Sequence, residues 1–223
     1  MLKGVIFDVD GTLVDSNDAH AQSWVDTFRE AGYDVPFDKV RPLIGMGADK
    51  LLPQTIGISR DSDEGKKLLE RRGKIFSTNY LPHLRPLPGV RELVLRVKRD
   101  GMKAIVATSA KDQELKGLLK AAHVEDLMEE KATASDAKRS KPDPDIVQAA
   151  IEESGLSLNE LVMIGDTPYD VEAATKAGVR AIGFLSGGWG RDALKGAVEI
   201  YDGPAGLLAH YDTSLLGKES PDQ

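Results

Sequence analysis

The 223-residue chain contains no cysteine. Disulfides, thiol nucleophiles and cysteine-ligated zinc are excluded, and the composition suits a reducing cytoplasm. The chain also lacks a basic tail or any long run of lysine and arginine, and its formal net charge is -7. Such a charge offers no footprint for a nucleic-acid backbone, so no nucleic-acid partner is expected. No apolar run approaches the length of a membrane span. The first one, Val5-Ile6-Phe7, stops at Asp8 and is too short for the core of a signal peptide. Neither a membrane anchor nor a cleaved leader is expected, and the chain is assigned to the cytoplasm. Internal repeats and low-complexity segments are absent as well.

What is present describes a globular chain, 41% hydrophobic and 29% charged. Val5, Ile6 and Phe7 form a short continuous apolar run, the mark of a strand covered on both faces. Ser16 or Asn17 then caps a helix in which Trp24, Val25, Phe28 and Ala31 recur at helical spacing before Gly32 stops it. A second helix is expected over 61–81, with short helices between the two, and no strand is expected from Ser16 to Leu84. Pro86 and Pro88 make a stiff connection. Beyond it the signals alternate. Helices carry Val90 to Val97, Leu115 to Leu119, Ile146 to Ile151 and Val171 to Ala177. Strands are expected over 103–107, 161–164, 181–184 and 198–201. Alternation of this kind predicts an α/β fold, a Rossmann-like parallel sheet flanked by helices. The helical stretch after the first strand predicts an inserted all-helical cap domain over 15–86, on a core of 1–14 and 87–223. The polar end, 217–223, is expected to fray.

In open parallel sheets, ligands bind beyond the carboxyl ends of the strands. The residues found there are Asp8 and Asp10 in KGVIFDVDGTLVDS, Thr108 and Ser109, and Asp166 and Asp170 in GDTPYD. Lys141 in SKPDP precedes a helix and joins the same edge. Four carboxylates against one lysine would be costly together unless a cation balances them. Hard oxygen donors of this kind suit Mg2+, while hydroxyls, a lysine and free backbone N–H groups suit a phosphate. An isolated aspartate after a strand is usually only a turn or a cap, and an isolated lysine a solvated one; it is the constellation that speaks for chemistry.

Taken in order, DVDGT, Thr108-Ser109, SKPDP and GDTPYD resemble the motifs of the haloacid dehalogenase superfamily of hydrolases. Within it they are most similar to the phosphoglycolate phosphatase-like and β-phosphoglucomutase-like subgroup with a helical cap. The resemblance spans Asp8 to Asp170. It implies Mg2+-dependent hydrolysis of a small phosphorylated metabolite, with Asp8 as the nucleophile that becomes an aspartyl phosphate and Asp10 as the general acid/base. It further implies that Thr108, Ser109 and Lys141 hold the phosphoryl oxygens. The metal would be held by Asp8, the backbone carbonyl of Asp10, Asp166 and Asp170, the last as a ligand or as support for one. His20 and Lys50 are the candidate cap contacts to substrate, with Arg41 behind them, and Lys111, after Ser109-Ala110 in the core, is a candidate contact to a second phosphate. A phosphomutase is the alternative, disfavoured because Ile44-Gly45-Met46-Gly47-Ala48 offers no cation before Lys50. A dehalogenase would not need Asp10, and the presence of Asp10, Lys141 and the full acidic set argues against one, while a silent binding protein would not keep the whole set. A monomer and a homodimer are both compatible with the sequence. Asp15 and the loop from Gly187 to Gly190 receive no role.

Overall fold

The computed structural model describes residues 1–128 and 130–219. Six strands form one sheet: β1 (Gly4–Phe7), β2 (Lys103–Ala107), β3 (Glu130–Ala132), β4 (Leu161–Gly165), β5 (Arg180–Phe184) and β6 (Glu199–Tyr201). All are parallel, in the spatial order β3-β2-β1-β4-β5-β6. Between β1 and β2 lie α1 (Asn17–Glu30), α2 (Phe37–Val40), α3 (Ala48–Ile56), α4 (Asp63–Ile75) and α5 (Val90–Arg99). The sheet crossovers that follow use α6 (Asp112–Ala121), α7 (Asp145–Ser154) and α8 (Pro168–Ala177), and α9 (Pro204–Ala209) and α10 (Leu215–Lys218) end the described chain.

Alternation along each strand builds two cores. Val5 and Phe7, Ala104 and Val106, Val162 and Ile164, and Ile182 and Phe184 face one layer, covered by Val90, Leu93, Val94 and Val97 of α5 and Leu115, Leu118 and Leu119 of α6. Ile6, Ile105, Met163 and Ala181 face the other, under Ile146, Val147 and Ala150 of α7 and Val171 and Ala174 of α8. A third apolar cluster lies wholly between residues 21 and 69, around Trp24, Phe28, Val40, Leu51, Leu52 and Leu68. The two connections joining this helical segment to the sheet pair with each other. Val14 bridges Pro86 in antiparallel fashion, Asp15 N donates to Arg85 O (3.1 Å), and Leu87 N donates to Leu13 O (3.1 Å).

Several elements differ from expectation. The helix expected over 61–81 is α4, followed by a wide turn over Phe76–Tyr80 and a tight one over Leu81–His83. Pro82 stands in that last turn, where it supplies no backbone donor. Strand β3 was not foreseen: Glu130-Lys131-Ala132 has no apolar run, and its place comes from pairing with Ile105, Val106 and Ala107 at the sheet edge. The start of the polar C-terminus is fastened rather than frayed. Glu219 O accepts from Leu2 N (2.7 Å), its carboxylate pairs with Arg180, and Gly217 is buried against the Tyr211 carbonyl. Residues 220–223 of that expectation lie outside the described residues.

Candidate active site

Adjacent strands bring the predicted residues together. Asp8 follows β1, and its N–H donates to Ile164 O of β4 (2.9 Å), so the ladder runs one residue past the strand. Asp166 follows β4, and Thr108 follows β2 on the other side of β1. Lys141, before α7, is only 1% exposed. Its ammonium donates to Asp8 Oδ1 (2.7 Å) and to Asp170 Oδ1 (2.6 Å). Asp170 stands in the first turn of α8, where Thr167 forms a capping box with it. Thr167 donates twice to Asp170 Oδ2, from its backbone N–H (3.0 Å) and its hydroxyl (2.6 Å). Asp166 accepts from Thr12 Oγ1 at Oδ1 (3.0 Å) and from Asn17 Nδ2 at Oδ2 (2.8 Å).

Asp8, Asp166 and Asp170 are buried, with ligand oxygens all within 4.8 Å of one another. Burial, with Asp170 alongside, pushes the Asp8 carboxyl well above its usual range, and Lys141 only partly opposes this. Burial, then Asp170, pushes Asp166 up to about 7, against the bonds from Asn17 and Thr12. Burial disfavours the Lys141 ammonium, but Asp170 and Asp8 outweigh it and hold the lysine charged. Three carboxylates against one ammonium thus leave excess negative charge in a buried all-oxygen donor set, which fits a hard divalent cation such as Mg2+.

Asp10 keeps the side-chain parity of Asp8 two residues on. Ser16 Oγ donates to its Oδ1 (2.6 Å), and His20 Nε2 lies 2.5 Å from the same oxygen. Arg72 of α4 contacts His20 Nδ1. Arginine only donates, so Nδ1 accepts and Nε2 carries the hydrogen given to Asp10. Burial pushes the Asp10 carboxyl up, but His20, Ser16 and Arg72 outweigh it and hold the group below the usual carboxylate range. His20, stacked on Phe76 with ring centroids 4.2 Å apart, therefore reaches the site. Arg72 also donates to Glu114 of α6 (2.7 Å), on the sheet side.

The other expected contacts fall elsewhere. Lys50 pairs with Asp143, and Arg41 donates to Asp18 (2.6 Å) and to Gly187 O (2.8 Å). Both cations fasten the helical segment to loops of the sheet. Thr108 is buried, and its hydroxyl accepts from Ala110 N (3.1 Å), while Ser109 Oγ is buried without a partner. Lys111 is exposed at the cavity rim. Asp15 is exposed and serves by its backbone alone. The loop at Gly187 does line the site: a Cβ there would lie 2.1 Å from Asp166 Oδ2. Trp189 packs edge-on against Tyr169 (6.0 Å). Sequence reasoning missed Thr12, Ser16, Asn17, Arg72 and Thr167 as site residues. Ser16, Asn17 and Thr167 carried a signal as helix-cap types, but not the identity of their partners.

A cavity of about 870 Å³ opens over these groups. Asp8, Asp10, Thr108, Ser109 and Lys141 line its floor, and Trp24, Leu69, Arg72 and Phe76 its roof. A doubly wound parallel sheet with a buried aspartate cluster at the strand ends defines an α/β enzyme site. Residues 5–184 match the haloacid dehalogenase-like hydrolase family, to which the chain belongs. It is 31% identical over 182 residues to a phosphoglycolate phosphatase of Caulobacter vibrioides, covering 80% of this chain and 77% of that one. A phosphorylated carbohydrates phosphatase of Thermotoga maritima is 28% identical over 186 residues, covering 81% and 84%. Among solved structures, a hydrolase from Pseudomonas syringae superposes with a TM-score of 0.87 at 28% identity, covering 95% of this chain and 98% of that one. No helix among the described residues is long and apolar enough to cross a membrane.

Proposed function

We propose that the protein is a Mg2+-dependent phosphatase of small phosphate monoesters, working through an aspartyl phosphate on Asp8. The observation that carries this reading is the buried Asp8–Lys141–Asp170 arrangement beside Asp166. An Asp8 oxygen attacks phosphorus, and the alkoxide leaves with a proton from Asp10, which must take up that proton once substrate is in place, because His20, Ser16 and Arg72 favour its charged form in the free protein. A water then attacks the same phosphorus, gives a proton to Asp10, and frees Asp8 and phosphate. Ser16 and His20 both engage Oδ1 of Asp10, which leaves Oδ2 to carry that proton. Lys141, Thr108 and Ser109, with the backbone around them, hold the phosphoryl oxygens. Asp8, Asp166 and the Asp10 carbonyl would hold Mg2+, with Asp170 completing the set while it anchors Lys141. When bound, the cation neutralises charge on the phosphoryl group. Residues 15–86 act as the cap and 1–14 with 87–223 as the core. The separate apolar cluster of the helical segment and the paired connections around Val14 and Pro86 support that division.

A phosphomutase needs cap cations free for a second phosphate. Lys50 is engaged by Asp143 and Arg41 by Asp18 and Gly187, so neither of these two is free for it, whereas Lys66 of α4 lines the cavity. The test is turnover of p-nitrophenyl phosphate with Mg2+ by wild type and Asp8→Asn. Wild type is expected to turn over and to stop on chelation, and the variant to be inactive while melting no lower than wild type. Wild-type rates in the variant would overturn the assignment of Asp8, and undiminished activity after chelation that of the metal. A panel of phosphorylated metabolites ranked by kcat/KM then identifies the substrate.

A further inference from the structure

Asp8 and Asp170 share the Lys141 ammonium, whereas both side-chain partners of Asp166 are neutral donors, Thr12 and Asn17. Neutral donors orient a carboxylate without cancelling its charge, so Thr12 and Asn17 aim Asp166 without competing with a cation for it. Each carboxylate oxygen has two lone pairs, and Thr12 and Asn17 take one on each, leaving one on each for a metal. The Asp166 carboxylate is also fenced by backbone. A Cβ at Gly11 or at Gly187 would fall 2.1 Å from Oδ2.

Of these neighbours Asn17 alone stands on the helical segment. It is the first residue of α1 and is 3% exposed. The residue before it, Ser16, and His20, one turn later, both engage Asp10. One turn of a cap helix thus grips two acids that belong to the sheet. Asn17 Oδ1, the atom that would accept in a helix cap, is buried without a partner. Helix capping and core packing therefore do not account for a buried amide there, while the bond to Asp166 does.

We propose that Asn17 is a positioning residue for the metal centre, and that through it cation binding and the ordering of the first turn of α1 are coupled. This rests on the reading of Asp166 as a metal ligand. Residues that orient a ligand by hydrogen bonding typically change metal affinity by about 10–100-fold when removed. Coupling of two equilibria is reciprocal: if the bond from α1 steadies the ligand, an ion on the ligand steadies α1.

The experiment is calorimetric titration of Mg2+ into the full chain, paired with amide hydrogen exchange over residues 17–24 with and without Mg2+. Wild type binds, and Mg2+ slows exchange in that turn. Asn17→Ala weakens binding about 10–100-fold and removes the Mg2+-dependent protection, while its metal-free melting temperature stays near that of wild type. Asn17→Ser suits the start of a helix and is too short to reach Asp166; it behaves alike and serves should the alanine variant fold poorly. Wild-type Mg2+ affinity in both variants overturns the positioning role. Weakened binding with protection intact overturns the coupling. Absence of Mg2+ binding by wild type would overturn the metal reading itself, and this inference with it.

Discussion

Lys141 lies among acids in a place where an isolated ammonium would not stay charged, and its two ion pairs set the charge balance of the site. The same balance predicts a pH dependence. Asp166 is pushed from 3.8 up to about 7, by burial first and by Asp170 next, and Asp8 is pushed in the same direction. The groups facing them are each other, Asp170, Lys141 and, for Asp8, Asp10. Between 3.8 and about 7 the folded chain holds a proton at Asp166 that the unfolded chain releases. Stability of the metal-free protein therefore falls as pH rises through that window. Melting in chelator is expected at a higher temperature at pH 5 than at pH 8, and Mg2+ should raise it more at pH 8. Calorimetric scans at the two pH values check this; a metal-free melting temperature that rises from pH 5 to pH 8 would remove the charge imbalance from the account. At this scale much was legible: Asp8, Asp10, Lys141, Asp166 and Asp170 were named from motif and strand context. Asn17 and Thr12 were not, because nothing in the spacing of a helix-cap type and a turn threonine reveals an acid 149 or 154 residues further on.

Among the elements, α8 shows how a helix start serves the site. Thr167 caps the helix, accepting from Asp170 N (3.2 Å), and in return fixes Asp170 Oδ2, so that Oδ1 meets Lys141. Thr167→Ala should cost about 1 kcal/mol of stability from the lost cap. It should lower kcat as well, because Asp170 keeps the backbone N–H of residue 167 but loses the hydroxyl bond that helps aim it, and Thr167→Ser should restore both. Thermal melts and steady-state kinetics of the two variants test this; a full loss of stability with unchanged kcat would leave Thr167 a cap and nothing more. The helix was legible from GDTPYD and the apolar residues behind it, and the final strand was placed within a residue. Strand β3 was not, because a three-residue edge strand of mixed polarity owes its form to its neighbour β2 rather than to any pattern of its own.

For the molecule as a whole, the helical segment meets the sheet layer through apolar side chains such as Phe76, Tyr80 and Leu81 and through polar links, one of which is made by Arg72. It contacts His20 and Ser23 on α1 and Glu114 on α6, and its guanidinium lies 4.6 Å from the Phe76 ring centroid. Arg72→Ala should reduce kcat/KM by about 10²-fold through misplacement of His20 and Asp10. The Arg72→Ala/His20→Ala double variant should lose little more than His20→Ala alone, since both act on Asp10 through one chain of contacts. Rates of the two single variants and the double variant decide it: strictly additive losses would separate the two residues.

Local pattern was enough to specify the strands of the sheet interior, the main helices, the insertion after the first strand and the acids at the strand ends. Each of these follows from apolar periodicity or from chemistry carried by neighbouring residues. Which of the expected cap contacts reach the chemistry was settled only by tertiary structure. His20 and Lys50 looked alike as polar residues on cap helices, yet one turned inward to Asp10 and the other sideways to Asp143. That choice depends on how two separately formed cores dock across the paired connections at Val14 and Pro86, a relation between distant segments that no single stretch of sequence encodes.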